Sequence, residues 1–170
     1  DRGLTELGLI EPTIKKLKKN CNIKIFNDVE SDPSKKTLLN AFNDAREFES
    51  TGVLGFGGGS SMDVAKLVSL LLGSNQQIET IWGVNNAKGP RLPLVLIPTT
   101  AGTGSEVTPI SIITTDDKEK KGVSSKFILP DLAILDPLLT TNLSANITAS
   151  TGIDAMAVSY THLRAHETTC

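Results

Sequence analysis

Residues 53–68 constrain the fold more than any other stretch, because they read as a buried strand, a glycine turn and a helix. Three consecutive glycines, Gly57–Gly59, join the strand to the helix, and glycine lets the backbone approach a ligand that a side chain would displace. Ser60 or Ser61 stands where a helix N-cap belongs. The free N–H groups and the positive dipole end of such a helix favour a phosphate. The stretch therefore indicates nucleotide or phosphate binding.

This turn matches neither of the two common phosphate-binding fingerprints in full. Met62 stands where the dinucleotide fingerprint has its third Gly or Ala, and the Gly-Lys-Ser/Thr ending of a P-loop is missing. A tight turn in an ordinary α/β protein remains the alternative interpretation of this stretch.

The chain before and after this stretch alternates helices with strands. Apolar spacing predicts one helix over 4–19, and Asp32 is predicted to cap another. Ile23–Phe26 alternates like a short strand, and Leu94–Ile97 is a continuous apolar run, typical of a strand buried on both faces. The sequence therefore predicts an α/β fold with a mostly parallel, Rossmann-like sheet and helices on both faces.

A second Gly/Thr-rich loop, Pro98–Glu106, follows the apolar strand. Ligands bind at the carboxyl ends of strands in open α/β sheets, so the two loops are expected to face one site. Ile110–Thr114 and Gly122–Ser125 predict a hairpin, and Leu132–Leu135 predicts a short strand. A last helix is expected after Leu143, with Thr148 as a candidate cap.

Composition excludes several classes of function. The net charge of -2 gives no electrostatic footprint for nucleic acid, and no apolar run reaches the roughly 20 residues of a membrane span. The two cysteines, Cys21 and Cys170, do not make a disulfide framework. We therefore expect a reducing compartment, the cytoplasm or the mitochondrial matrix.

Three stretches together resemble the iron-containing (group III) alcohol dehydrogenases. They are Gly57–Lys66, Pro98–Glu106 and Thr151–Met156, in that order and at those separations. The resemblance covers roughly residues 1–157. It implies an N-terminal NAD(P)-binding α/β domain of the dehydroquinate synthase-like type, followed by an all-helical domain, with NAD(P) and a divalent metal between them.

The resemblance also implies a domain division. Residues 1–140 are expected to form the cofactor domain without its first strand–helix unit, and residues 141–157 the start of the helical metal-binding domain. The stretch Tyr160–Thr168 resembles translated adaptor or vector sequence, and residues 158–170 are expected to be a non-native tail.

Residues expected to contact NAD or NADP follow from the family motifs. They are Asp1, Gly58, Gly59, Ser60, Asp63, Thr99, Thr100, Thr103 and Lys121. The acid at position 1 would bond the adenosine ribose and disfavour a 2′-phosphate, which suggests NAD. Lys120 is adjacent to Lys121, so a one-residue slip stays open. Lys66 is an alternative phosphate contact, and a surface position on its helix is the expected role.

The resemblance assigns one metal ligand, Asp154, for Fe²⁺ or Zn²⁺ in the full-length parent. Helix capping is the alternative role for this acid. The family's first histidine should stand four residues later, where this chain has Val158. His162 and His166 share a helix face, but Leu163 stands where the zincin pattern needs Glu. No functional metal site is expected there.

The implied activity is hydride transfer between a small alcohol or aldehyde and a nicotinamide cofactor, with the metal as Lewis acid. The parent is expected to form a homo-oligomer. The chain itself is expected to be inactive, because a single carboxylate without its histidines is a poor transition-metal site. Two alternatives stay open: a dehydroquinate-synthase-like lyase, and nucleotide binding without catalysis.

Overall fold

The computed structural model describes residues 1–141 and 143–167, and for 158–167 it describes the helical backbone only. The helices of this part of the chain are α1 (Arg2–Glu6), α2 (Glu11–Leu17), α3 (Lys35–Glu47), α4 (Gly59–Ser74) and α5 (Ala145–Glu167). Its strands are β1 (Val53–Gly57), β2 (Gly83–Val84), β3 (Leu94–Pro98), β4 (Ile110–Thr114), β5 (Lys120–Ser124) and β6 (Leu132–Ala133). None of the described helices combines the length and the hydropathy that a membrane span requires.

The main sheet is parallel, with strand order β1-β3-β6. Val53 pairs with Leu94 at one end of β1 and β3, and Gly57 pairs with Pro98 at the other. The predicted mostly parallel sheet is therefore confirmed. Because both strands run the same way, the glycine turn after β1 and the loop after β3 leave the sheet at the same edge.

A second, mixed sheet has the strand order β2-β5-β4. β4 and β5 are antiparallel, with Ile110 opposite Ser124 and Thr114 opposite Lys120. The predicted hairpin is therefore confirmed. β2 adds a short parallel pairing on the other side of β5.

Helix α4 lies at the centre of the molecule, because it contacts both sheets. Met62 and Ala65 of α4 pack with Leu94 and Leu96 of β3. Other α4 side chains form a larger core with α3 and the β4–β5 hairpin; they include Val64, Leu67, Val68, Leu70 and Leu71. Burying each such side chain contributes about 1.5–3 kcal/mol. Packing on both sides explains why α4 carries so little polar surface.

Two predictions for the first thirty residues are wrong. The single helix predicted over 4–19 is two helices, because Gly8 adopts a φ of +67° between α1 and α2. Ile23–Phe26 forms no strand. A strand needs a neighbour to pair with, and no described strand pairs with this segment; Phe26 instead packs against the larger core.

Three predicted boundaries also shift. The cap of α3 is Ser34, whose Oγ accepts from Thr37 N at 3.1 Å, whereas Asp32 lies two residues earlier with a φ of +53°. The predicted strand Leu132–Leu135 is reduced to two residues. Helix α5 begins at Ala145, so Thr148 lies inside the helix and is not its cap.

Candidate dinucleotide-binding site

The glycine turn, Gly57–Gly59, has a conformation that requires glycine at its first position. Gly57 adopts a φ of +151°, which L side chains rarely occupy. A Cβ at this position would lie 2.7 Å from Oγ of Ser61. The turn can therefore form only if residue 57 has no side chain. It connects the end of β1 directly to the start of α4.

The N-terminus of α4 is open toward the end of the sheet. The helix begins at Gly59 with Gly58 as its N-cap, so the prediction of Ser60 or Ser61 as the cap is wrong. No side chain in the described part of the chain caps this helix. A helix start leaves backbone N–H groups without intrahelical partners, and the positive dipole end favours an anion there.

The threonine loop, Pro98–Glu106, lies beside this turn. A Cβ at Gly58 would be 3.4 Å from Cγ2 of Thr100, and a Cβ at Gly59 would be 3.2 Å from Cγ2 of Thr103. The two Gly-rich loops therefore meet at one site, as their positions after parallel strands predict. We call the surface formed by these two glycines and two threonines the cradle.

One side chain of the cradle has no partner inside the protein. Thr100 Oγ1 is buried and makes no hydrogen bond to the described residues, and it lies 3.5 Å from the Cβ position of Gly58. A buried hydroxyl without a partner is costly, so this atom fits a ligand that brings an acceptor. The neighbouring Thr99 is 2% exposed, and its N–H donates to Gly57 O at 2.9 Å.

Ser60 is the second residue of α4 and is half-buried. Asp63, three residues later, differs from the other predicted cofactor residues. Its Oδ1 accepts from Oγ of Ser105 at 2.6 Å and its Oδ2 accepts from Ile112 N at 2.9 Å. Both carboxylate oxygens thus accept hydrogen bonds from the chain itself.

The prediction of Lys66 as a surface lysine is wrong. Its side chain is 0% exposed, and its ammonium lies 3.6 Å from Oδ1 of Asp63. Burial lowers the pKa of Lys66 and raises the pKa of Asp63, because desolvation disfavours the charged form of each group. The sequence of α4 could have predicted this burial, because the helix has apolar residues on every side and leaves no solvated face for a lysine.

Asp1 is linked to the glycine turn through helix α1. Its carboxylate caps α1, with Oδ1 accepting from Leu4 N at 3.0 Å. Leu4 Cδ1 in turn lies 3.3 Å from the Cβ position of Gly57. The helix that Asp1 caps is therefore anchored against the turn.

Lys121 lies on the β4–β5 hairpin, opposite Ile113 in the ladder. It lines a shallow pocket of about 290 Å³ together with Lys35, Glu79 and Trp82. No residue of the cradle lines this pocket, so the structure does not bring Lys121 into the same group as the two loops.

The described residues do not form a metal centre by themselves. Asp154 is exposed on α5, and no group of three or more His, Cys, Asp or Glu side chains able to hold a metal occurs in the described part of the chain. The side chains of His162 and His166 lie outside the described residues. Asp154 therefore remains a single predicted ligand.

Comparison with known proteins identifies the family. Residues 1–137 match the family model for iron-containing alcohol dehydrogenase. Sulfoacetaldehyde reductase of Bilophila wadsworthia (strain 3_1_6) is 38% identical over 157 residues, which are 91% of this chain and 41% of that protein. The chain thus spans about two fifths of the length of the curated relatives it matches.

Solved structures agree with this comparison. The crystal structure of 1,3-propanediol oxidoreductase matches with a TM-score of 0.86 and 31% identity, over 91% of this chain and 41% of that one. Sulfoacetaldehyde reductase from Bifidobacterium kashiwanohense, crystallised in complex with NAD⁺, matches with a TM-score of 0.81 and 31% identity, over 90% and 41% of the two chains. From its motifs, its fold and these matches, the chain belongs to the iron-containing alcohol dehydrogenase family.

Proposed function

We propose that the cradle binds the pyrophosphate of NAD(H). The observation that carries this proposal is Thr100 Oγ1, a buried hydroxyl without a partner beside the Cβ position of Gly58. A pyrophosphate oxygen would accept from this hydroxyl and from the free N–H groups at the start of α4. Thr103, next to Gly59, would close the other side of the same anion.

NAD is favoured over NADP as the cofactor. Asp1 caps a helix that is anchored to the glycine turn through Leu4, and an acid at this edge of the sheet would repel a ribose 2′-phosphate. A structural neighbour is an NADH-dependent butanol dehydrogenase, and another was crystallised with NAD⁺. We therefore propose NAD as the cofactor, and we propose Lys121, next to Lys120 on the hairpin, as a further contact.

For the whole protein we propose hydride transfer between a small alcohol or aldehyde and the nicotinamide ring, which accepts or donates the hydride when bound. Asp154 is the proposed contribution of this chain to an Fe²⁺ or Zn²⁺ site. No group of three or more candidate ligands occurs among the described residues, so Asp154 does not form a complete metal site within this part of the chain. The family match favours this dehydrogenase activity over a dehydroquinate-synthase-like lyase.

The family match also supports proposals for the substrate class and the oligomeric state of the whole protein. The relatives are named for sulfoacetaldehyde, long-chain alcohols and 4-hydroxybutyrate, so a small alcohol or aldehyde is the proposed substrate class. We also propose a homo-oligomer for the whole protein, in the cytoplasm or the mitochondrial matrix.

Calorimetric titration of this chain with NAD⁺ tests the proposal. Thr100→Val keeps the size of the side chain and removes the hydroxyl, and it should weaken NAD⁺ binding about tenfold. The matched control, Thr51→Val, changes an exposed threonine and should leave binding unchanged. A chain that is folded by circular dichroism but binds no NAD⁺ would contradict the proposal, and so would equal affinities for the two variants.

Nucleotide binding without catalysis remains the second candidate, because the described residues contain one proposed metal ligand. NADH formation from a simple alcohol by a longer protein carrying this sequence would support the dehydrogenase. NAD⁺ binding by that protein without NADH formation would support the binding function alone.

A further inference from the structure

Helix α4 buries a charged pair that the proposed cofactor contacts do not use. Lys66 is 0% exposed and the Asp63 side chain is 16% exposed, one helical turn earlier. The residues that follow the pair on α4, Leu67 and Val68, are also buried. Removing two charges from water is costly unless hydrogen bonds from the protein replace those of water. The hydrogen-bond partners of Asp63 and Lys66 therefore indicate the role of the pair.

Every donor of the Lys66 ammonium is directed at one short segment. Nζ donates to Oγ of Ser105 at 2.8 Å, to the carbonyl of Thr108 at 3.1 Å and to the carbonyl of Ile110 at 2.8 Å. A lysine ammonium has three donors and no acceptor. Lys66 therefore has no donor left for a phosphate, and its charge serves the segment between the threonine loop and β4.

Asp63 holds the same segment at both ends. Oγ of Ser105 donates to its Oδ1 at 2.6 Å, and N of Ile112 donates to its Oδ2 at 2.9 Å. The main-chain carbonyl of Asp63 also accepts from Oγ of Ser111 at 3.0 Å. The Ser105 hydroxyl accepts from Lys66 and donates to Asp63, so its orientation is determined. We call Asp63, Lys66 and Ser105 the lysine clamp.

The lysine clamp is directly connected to the cradle. The Ser105 N–H donates to Oγ1 of Thr103 at 3.4 Å, and the Thr103 side chain is the one closest to the Cβ position of Gly59. Between them, Gly104 turns the chain with a φ of +62°. Movement of Ser105 would therefore move Thr103 relative to the glycine turn.

We propose that Lys66 and Asp63 are positioning residues for nucleotide binding: the lysine clamp holds the threonine loop at the distance from Gly59 that a pyrophosphate requires. The inference rests on the proposed function, because it assigns a role in the same site. It differs from a role in folding alone, which would lower the stability of the chain and leave the affinity of the folded protein unchanged.

Ser105→Ala is the decisive variant, since it removes the bridging hydroxyl and leaves both charges in place. Lys66→Met is a second variant that removes the ammonium and keeps the chain length. Lys19→Met, at an exposed lysine, is the matched control. Each protein is titrated with adenosine diphosphate, which carries a pyrophosphate, under conditions where denaturation curves show that it is folded. Amide hydrogen exchange is followed in residues 99–112 and in β1.

We expect Ser105→Ala to weaken adenosine diphosphate binding about tenfold. Exchange should accelerate in residues 99–112 while β1 stays protected, and Lys19→Met should match the unchanged chain. Equal affinity of Ser105→Ala and the unchanged chain would overturn the positioning role alone. Acceleration that is as large in β1 as in the loop would also overturn it. Failure of the folded, unchanged chain to bind adenosine diphosphate would overturn the proposed function, and the positioning role with it.

Discussion

The two sides of the cradle are held in place by different forces. The glycine turn depends on the backbone alone, because Gly57 has a φ of +151° and no room for a Cβ beside Ser61. The threonine loop depends on side chains distant in sequence, since Lys66 reaches Ser105 across 39 positions. A turn built by glycine depends on local backbone geometry, whereas a loop held by a buried charge pair is only as stable as that pair.

Among the changes to the two sides of the cradle, removal of the Lys66 side chain is expected to lower the free energy of unfolding the most. Lys66→Ala leaves the buried Asp63 carboxylate without its counter-charge, and it leaves the carbonyls of Thr108 and Ile110 without the ammonium that donates to them. Breaking a buried pair in this way costs about 3–5 kcal/mol of unfolding free energy. Urea denaturation measures the loss.

The control for that experiment is Lys19→Ala at an exposed lysine, which should change the unfolding free energy by less than about 0.5 kcal/mol. A loss under about 1 kcal/mol for the buried lysine would show that the pair contributes no more than a surface pair. The contrast between the two sides of the cradle would then fail.

Substitution of the glycine turn should cost less. Gly57→Ala forces a residue with a Cβ into a φ of +151° and places that atom 2.7 Å from Ser61. A strained backbone position of this kind costs about 1–3 kcal/mol. Gly122→Ala is the control, because its Cβ would have an ordinary 3.8 Å contact. Thermal unfolding that ranks the two variants in the opposite order would refute the strain argument.

A methyl group inside the cradle should affect binding more than stability. Gly59→Ala places a Cβ 3.2 Å from Thr103, in the space proposed for the pyrophosphate, while alanine suits the first turn of a helix. We expect NAD⁺ affinity to fall about tenfold, or about 1.4 kcal/mol. Gly152→Ala, with open space at its Cβ, should bind as the unchanged chain does. Equal calorimetric affinities for both variants would place the anion elsewhere.

The smallest effect is expected at the Arg91–Asp131 ion pair, which lies at the opposite end of the main sheet, where β3 and β6 begin. Arg91 donates to both carboxylate oxygens of Asp131 at 2.7 and 2.8 Å, and it lowers the pKa of Asp131 to about 2. The Asp131 side chain is 57% exposed, so solvent screening limits the pair to about 1 kcal/mol. Burial has the opposite effect on Asp63, whose pKa is raised.

The sign of the pH dependence follows from the lowered pKa. The stabilisation by Asp131 is complete above the ordinary value of 3.8 and is lost as the pH falls through about 2. Asp131→Asn should therefore be less stable than the unchanged chain at neutral pH and equally stable below about pH 2. Acid titration followed by circular dichroism measures this, and a difference that persists at the lowest pH would contradict the assignment.

Local sequence predicted the parts of the molecule that depend on local physics. The glycine turn, the apolar run of β3 and the convergence of two loops at one sheet edge follow from backbone freedom and parallel strand order. Lys66 was misplaced, because a pattern that counts charged residues as solvated cannot detect a buried partner 39 positions away. Ile23–Phe26 was misassigned for a related reason, since alternation alone does not supply a neighbouring strand.

Gly102 shows how the threonine loop connects to the rest of the chain. It has a φ of +157°, and a Cβ there would collide with the carbonyl oxygen of Thr151 on α5. The loop that lines the cradle and the helix that carries Asp154 thus share a backbone-to-backbone contact with no space for a side chain. The distance between the loop and the helix is therefore set by main-chain atoms. A displacement of α5 at Thr151 would also displace the threonine loop.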